Sequence, residues 1–305
     1  MKILFLFLDG IGLGENDPEK NPFARAKMPY LESLLGGQTL IYNTAPFEGE
    51  LVSLLAVDAN LGVKGLPQSA TGQSVLLTGI NIPAELGYHY GPKPNPEVAH
   101  YLDERTIFSK TIKANKKTAL LNAYPPRYFD GIDSGKRLYS AIPLALTNAG
   151  PPLFTDKDYY EGHALSADFT GEGWHSFLGF PNAPLFDAHT AGIKLAELAK
   201  QYDFSFFEYW ASDYAGHKQD MESAISQLEV FDSVLKGLLE TWQNEEGLIL
   251  LTSDHGNMED LSTRKHTAAP VPFLLFGDKN IRSEFKKDIH DLTGIAPAIS
   301  KLLGI

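Results

Sequence analysis

The sequence predicts an α/β protein: a doubly wound, mostly parallel sheet with an inserted cap subdomain. Three observations carry that expectation. "ILFLFL" (3–8) and "GLILLT" (247–252) are apolar runs without alternation, as expected of strands covered on both faces. From residue 186 onward such runs alternate with stretches of helical spacing. Residues 81–185 differ, with Pro, Tyr, His and Gly recurring in "GYHYGPKPNPE", "NAYPPRYFDG" and "NAGPPLF". The expected division is therefore a core domain over 1–80 and 186–305 and a cap over 81–185.

The elements follow in order. Residues 3–8 are the first strand, ending in Asp9 with glycines at 10, 12 and 14. A helix is expected around 29–36, closed by Gly36-Gly37. Another is expected over 72–78, after the polar turn of "SATGQ". Beyond the cap, 188–201 has helical spacing at Ile193, Leu195, Ala196, Leu198 and Ala199, and "DFSFFEYW" (203–210) reads as a strand. Residues 219–242 read as one long amphipathic helix with Met221, Ile225, Leu228, Phe231, Leu235 and Leu238 on one side. Strands over 247–254 and 271–277 and a helix in "DLTGIAPAISKLLGI" complete the order.

Charge narrows the partners. Thirty-eight acidic residues against 26 basic ones leave a net charge of -12 with no basic run, so neither nucleic acid nor an anionic membrane is an expected partner. A small phosphorylated substrate would itself be repelled unless a bound dication reversed the local field. Cysteine is absent, which excludes disulfides and thiol chemistry. The opening apolar run is too short for a signal-peptide core or a membrane span, so a soluble, cytoplasmic protein is expected.

In an open parallel sheet, ligands bind beyond the carboxyl ends of the strands. Three expected strands lead to an acid there: Asp9, Asp213 in "YWASD" and Asp254 in "LLTSD". His217 follows Asp213 by four residues, a spacing that shares one face of a helix. His255 adjoins Asp254, and His266 lies eleven residues further on. Singly, each is an ordinary cap or surface pair. Together, three carboxylates and three imidazoles form an O/N set suited to Zn²⁺ or Mn²⁺ rather than Ca²⁺. Six ligands exceed one ion's usual protein complement, which points to two metals. The turn "GLPQSATGQS" (65–74) places hydroxyls where a helix begins, which suits a phosphate or merely caps the helix.

With these residues in view, the chain resembles the alkaline phosphatase superfamily, most closely the branch of cofactor-independent phosphoglycerate mutase and phosphopentomutase. The resemblance rests on "LDGIG", "VKGLPQSATGQ", "SDHGNMED" and "LTGIAPAISKLLGI" and on the order Asp9, Ser69, Asp213, His217, Asp254, His255, His266. It covers about 1–80 and 186–305 and implies an alkaline-phosphatase-like fold. It further implies a first ion held by Asp9, Ser69, Asp254 and His255, and a second held by Asp213, His217 and His266. Ser69 is the implied nucleophile because it stands three residues before Gly72, with Thr71 as the alternative. Gln73 departs from the mutases, which carry His there. "SATGQ" lacks the Pro and Arg of a sulfatase motif.

The implied activity is metal-dependent phosphoryl transfer through a phosphoserine on a small phosphorylated metabolite, with hydrolysis of a phosphomonoester favoured. A phosphomutase or a phosphodiesterase is the alternative, and a non-catalytic metal-binding protein the more distant one. Arg127 and Arg137 are the candidate substrate contacts in the cap. His89, His163, His175 and His189 read as structural.

Overall fold

The computed structural model describes residues 1–305. Its strands are β1 (Lys2–Leu8), β2 (Phe47–Glu48), β3 (Val52–Val57), β4 (Thr118–Leu120), β5 (Ala123–Tyr124), β6 (Phe154–Thr155), β7 (Phe204–Tyr209), β8 (Gly247–Thr252) and β9 (Val271–Gly277). Seven of them form one sheet in the order β2-β3-β9-β8-β1-β7-β4, while β5 and β6 form a small parallel pair. β1 sits at the centre, parallel to β7 on one side and β8 on the other. β4 extends the parallel set from β7. β9 runs antiparallel to β8 and to β3, and β2 antiparallel to β3.

β1 shows why its sequence does not alternate. Leu4, Leu6 and Leu8 enter one apolar core, and Ile3, Phe5 and Phe7 enter the other. The first core lies under the helices Pro29–Leu34, Ala188–Ala199 and Met221–Trp242. The second lies under Ser69–Thr78, Ile107–Lys113, Ala141–Asn148 and Ile295–Leu303. The sheet is thus helix-covered on both faces, as the sequence predicts, with mostly parallel strands.

Four expectations are corrected. The helix expected over 72–78 starts three residues earlier, at Ser69. The helix expected over 219–242 begins at Met221 and runs unbroken to Trp242, and an unexpected short helix, Ala211–Lys218, precedes it across Gln219, which is left-handed with φ 56°. β9 is an antiparallel return from β8 because no helix intervenes: residues 253–270 are loop, and a loop suffices only for an antiparallel neighbour. Finally, 81–185 is not a separate cap. β4 belongs to the main sheet, and Leu102, Ile107, Phe108, Leu120, Ile142 and Leu146 fill the second core. Only Tyr159, Ala164, Trp174 and Ala183, with Ala123, form a small cluster of their own.

Glu208 of β7 helps bind this segment in. Its N–H donates to Asn122 Oδ1 at 2.8 Å and its carbonyl accepts from Asn122 Nδ2 at 2.8 Å. Its Oε1 accepts from the Tyr124 hydroxyl at 2.5 Å. Burial pushes this carboxyl from the usual 4.5 up to about 7, against the lowering effect of the Tyr124 bond.

On the opposite face the helices Ala188–Ala199 and Met221–Trp242 cross backbone to backbone. A Cβ on Gly192 would stand 2.0 Å from Val234 O, and one on Gly237 would stand 2.0 Å from His189 O. Neither obstacle is a movable side chain. Gly237→Ala must therefore part the helices and is expected to lower the unfolding free energy by about 3 kcal/mol, read from urea midpoints.

A second expectation concerns pH. Between the ordinary carboxyl range and about 7, folded Glu208 holds a proton that the unfolded chain has lost, so its contribution falls as pH rises through that window. Urea titrations are expected to show Glu208→Gln gaining stability over the parent with rising pH, by up to about 3 kcal/mol above pH 7. A pH-independent difference would contradict this.

Candidate functional site

The site assembles at the carboxyl ends of β1, β7 and β8. Asp9 is the first residue past β1, its N–H still paired to Tyr209 O at 2.9 Å. Asp254 and His255 follow β8 by two and three residues. Asp213 is not at a strand end: it lies in the first turn of the helix Ala211–Lys218, four residues beyond β7. That helix realises the expected four-residue spacing, with His217 Nε2 3.3 Å from Asp213 Oδ2. His266 reaches the same carboxylate, 3.8 Å from its Oδ1, from the loop returning to β9.

Ser69 opens the helix Ser69–Thr78, and its Oγ lies 3.0 Å from His255 Nε2. His255 Nε2 is also 3.5 Å from Asp9 Oδ1 and 3.6 Å from Asp254 Oδ2. Gly72 allows this approach, since a Cβ there would stand 2.8 Å from Asp254 O. Thr71 points elsewhere: its hydroxyl donates to Gln68 O at 3.1 Å and Tyr90 O at 3.3 Å. Ser69, not Thr71, therefore faces the acids and imidazoles.

All seven sequence-predicted ligand positions meet at this edge. Ligand atoms of Asp213, His217 and His266 cluster within 4.8 Å of one another, and so do those of Asp9, Asp213 and His255. Asp213 thus stands between the two groups. The buried end holds Asp254 and His255, both fully inaccessible, whereas the His217 side chain is 43% exposed. Arg127 and Arg137 are not brought to this cluster. Arg127 is exposed on the helix Pro126–Asp133, and Arg137 lies over the Tyr128 ring at 4.9 Å. His163 and His189 pair with Glu161 and Glu240, and His175 bonds to Ala183 O.

Whether a cation fits can be asked of the imidazoles. His217 Nδ1 is 2.7 Å from Arg264 O and His266 Nδ1 is 2.7 Å from Pro67 O. A carbonyl only accepts, so each Nδ1 carries a proton, and in the neutral ring each Nε2 then carries a lone pair. Those two Nε2 atoms face each other at 3.3 Å. Two lone pairs at that distance repel unless a cation lies between or beside them. Asp9 Oδ1 is likewise buried without a hydrogen-bond partner. The residues fit divalent metal.

The electrostatics agree. Burial, then the charges of Asp254 and Asp213, push the Asp9 carboxyl well above its usual range. Burial and Asp213 raise Asp254 to about 7. Burial and the neighbouring His266 lower His255 to about 3, which keeps its ring neutral.

Three supporting residues escaped the sequence reading. Asn257 Nδ2 donates to Asp213 Oδ1 at 2.6 Å. Glu259 accepts from Gly12 N at 2.9 Å, from Asn257 N at 2.7 Å and from the Thr267 hydroxyl, so one buried carboxylate fastens three loops. Ser253 Oγ accepts from Ile11 N at 2.9 Å. Asn257 and Glu259 sit in "SDHGNMED", but nothing in that string says which backbone groups they hold.

Comparison with known proteins agrees with the geometry. A metalloenzyme superfamily model matches residues 183–305. The 2,3-bisphosphoglycerate-independent phosphoglycerate mutase of Antithamnion sp. is 29% identical over 161 residues, covering 48% of this chain and 31% of the mutase. The mutase of Escherichia coli is 30% identical over 131 residues, covering 41% and 24%. The chain thus spans about a quarter to a third of the length of these curated relatives. Among solved structures, the alkaline phosphatase of the Antarctic bacterium TAB5 aligns with TM-score 0.55 at 13% identity, over 99% of this chain and 97% of that one. A Leishmania mexicana phosphoglycerate mutase aligns with TM-score 0.50 at 12% identity, over 100% and 95%. Through the matched segment, the mutase relatives and the shared fold, the chain is similar to metalloenzymes of the alkaline phosphatase and phosphoglycerate mutase type.

Proposed function

We propose that this protein is a two-metal phosphoryl-transfer enzyme that hydrolyses a small phosphorylated metabolite through a phosphoserine at Ser69. One observation carries the reading: Ser69 Oγ lies 3.0 Å from a buried imidazole nitrogen inside a cluster of three carboxylates and three imidazoles. Asp9, Asp254, His255 and Ser69 would hold one Zn²⁺ or Mn²⁺, and Asp213, His217 and His266 the other. Such ions, when bound, supply positive charge that lowers the serine pKa and offsets charge on the phosphate oxygens.

The chain's own residues do the rest. His255, held neutral with its proton affinity so low, is a poor general base and a suitable neighbour for Ser69 around a shared cation. The start of the helix Ser69–Thr78 directs its positive dipole end toward an incoming phosphate. Exposure of His217 marks the side from which substrate enters. Attack by Ser69 Oγ on phosphorus breaks the ester P–O bond, releases the alcohol and leaves phosphoserine, which water then cleaves to inorganic phosphate.

Water as the final acceptor is favoured by how 81–185 is built. A mutase must enclose its intermediate under a closing domain, but here much of that segment is fixed into the sheet and the second core. The relatives' own activity supports the alternative of a mutase. A net charge of -12 disfavours nucleic acid and anionic membrane as partners, and a small anionic metabolite would depend on bound metal to reverse the local field. No helix is long and apolar enough to cross a membrane. Metabolites of this class place the enzyme in the cytoplasm.

An assay panel tests the reading: Mn²⁺- or Zn²⁺-loaded protein with an aryl phosphomonoester, an aryl phosphodiester and 3-phosphoglycerate. Turnover of the monoester with phosphate release is expected. Conversion of 3-phosphoglycerate alone would make it a mutase, turnover of the diester alone a phosphodiesterase, and no turnover by metal-loaded protein a binding protein. Ser69→Ala is expected to abolish acid-stable labelling by a phosphorylated substrate, whereas Thr71→Ala keeps labelling and loses about 1 kcal/mol of stability with its backbone hydrogen bonds. The reverse pattern would reassign the nucleophile.

Metal removal gives a further expectation. Chelation should remove about two ions per chain, abolish turnover and lower the thermal midpoint. Adding metal back at a hundredfold excess over its dissociation constant should restore about 3 kcal/mol for each site filled. Elemental analysis with differential scanning calorimetry reads both effects.

A further inference from the structure

Gln73 is fully helical, 4% exposed and one turn past Ser69 on the same helix. Its Nε2 lies 3.4 Å from Asp9 Oδ2 and 3.2 Å from Asp254 Oδ2, so one amide spans the two carboxylates. The amide turns its NH₂ toward the pair. Its Oε1 is then left buried with no hydrogen-bond partner. An unpaired buried carbonyl costs about 1–3 kcal/mol, and an apolar side chain of the same length would avoid that cost. The arrangement makes sense if the two amide hydrogens are needed where they are.

We propose that Gln73 is a positioning residue that clamps Asp9 and Asp254 into one ligand group before metal arrives. The inference rests on the metal centre proposed above. Two buried acids of like charge turn apart when nothing bridges them, and each would then meet an incoming cation singly. The amide bridge holds one oxygen of each at a fixed separation and leaves Asp9 Oδ1 free to ligate. Being neutral, the amide adds no charge that would compete with or repel the ion. Asp213, His217 and His266 receive no bond from Gln73, so the second group should be indifferent to it.

The test is Mn²⁺ calorimetry on Gln73→Met, which keeps length and burial but has no N–H. It is made in two backgrounds. In His217→Ala/His266→Ala protein, only the Asp9, Asp254 and His255 group remains, and Gln73→Met is expected to weaken Mn²⁺ binding by about tenfold or more. In Asp254→Ala protein, Gln73→Met is expected to leave the remaining site's affinity unchanged. The thermal midpoint of the metal-free protein should stay the same or rise, since the unpaired carbonyl is gone. Equal affinity with and without Gln73 in the first background would overturn the proposal. Equal weakening in both backgrounds with a lowered midpoint would also overturn it, by assigning Gln73 to packing. Parent protein that binds no Mn²⁺ would sink the metal centre as well, a result distinct from either of those.

Discussion

Three carboxylates share one end of the sheet, two of them nearly or wholly out of water, and their mutual repulsion is the constraint around which this molecule is arranged. Burial, with Asp254 and Asp213, raises the affinity of Asp9 for protons, and burial with Asp213 raises that of Asp254. Nearby groups answer that repulsion. The Gln73 amide spans two of the acids, Asn257 binds the third, and His217 and His266, each with Nδ1 on a backbone carbonyl, turn Nε2 inward. A region so organised is costly to leave empty, and the cost is concentrated where the ligand atoms converge. Hydrophobic packing elsewhere supplies the rigidity that keeps the acids from moving apart.

That rigidity comes from loops fastened to one another as much as from the sheet. Glu259 holds the loops after β1 and β8 and the return to β9 through one carboxylate. Ser212 adds a bond from its hydroxyl to Asp9 O at 2.6 Å, tying the start of the helix that carries Asp213 to the end of β1. The ligand positions are therefore set by backbone contacts among loops far apart in the chain. The centre is open on the His217 side and closed by the core on the Asp254 side.

Much of this was legible in the chain. β1 and β8 announce themselves because burial on both faces demands an unbroken apolar run, and the helix Ala188–Ala199 shows its core-facing residues at helical spacing. Asp9, Asp213, Asp254 and His255 were legible because each stands within a few residues of the end of an apolar strand. β3 and β4 were not: one includes Ser53 and the other is three residues long, too little for pattern to reveal. The antiparallel course of β9 was hidden because a buried strand reads alike in both directions. The cap boundary misled because Pro and Gly mark turns, and turns occur within a domain as readily as between domains. The positions of Asn257 and Glu259 could be read, but their bonds to backbone N–H groups exist only once distant loops meet.

The central place of β1 bears on how the chain is made. Its two neighbours are β7 and β8, so this apolar strand is made about two hundred residues before its first partner, Phe204 opposite Ile3. Both edges of that strand stay unsatisfied through most of synthesis, and its pairings are among the most distant in sequence that the sheet contains. Such an order makes for slow maturation and a nascent chain prone to mispairing.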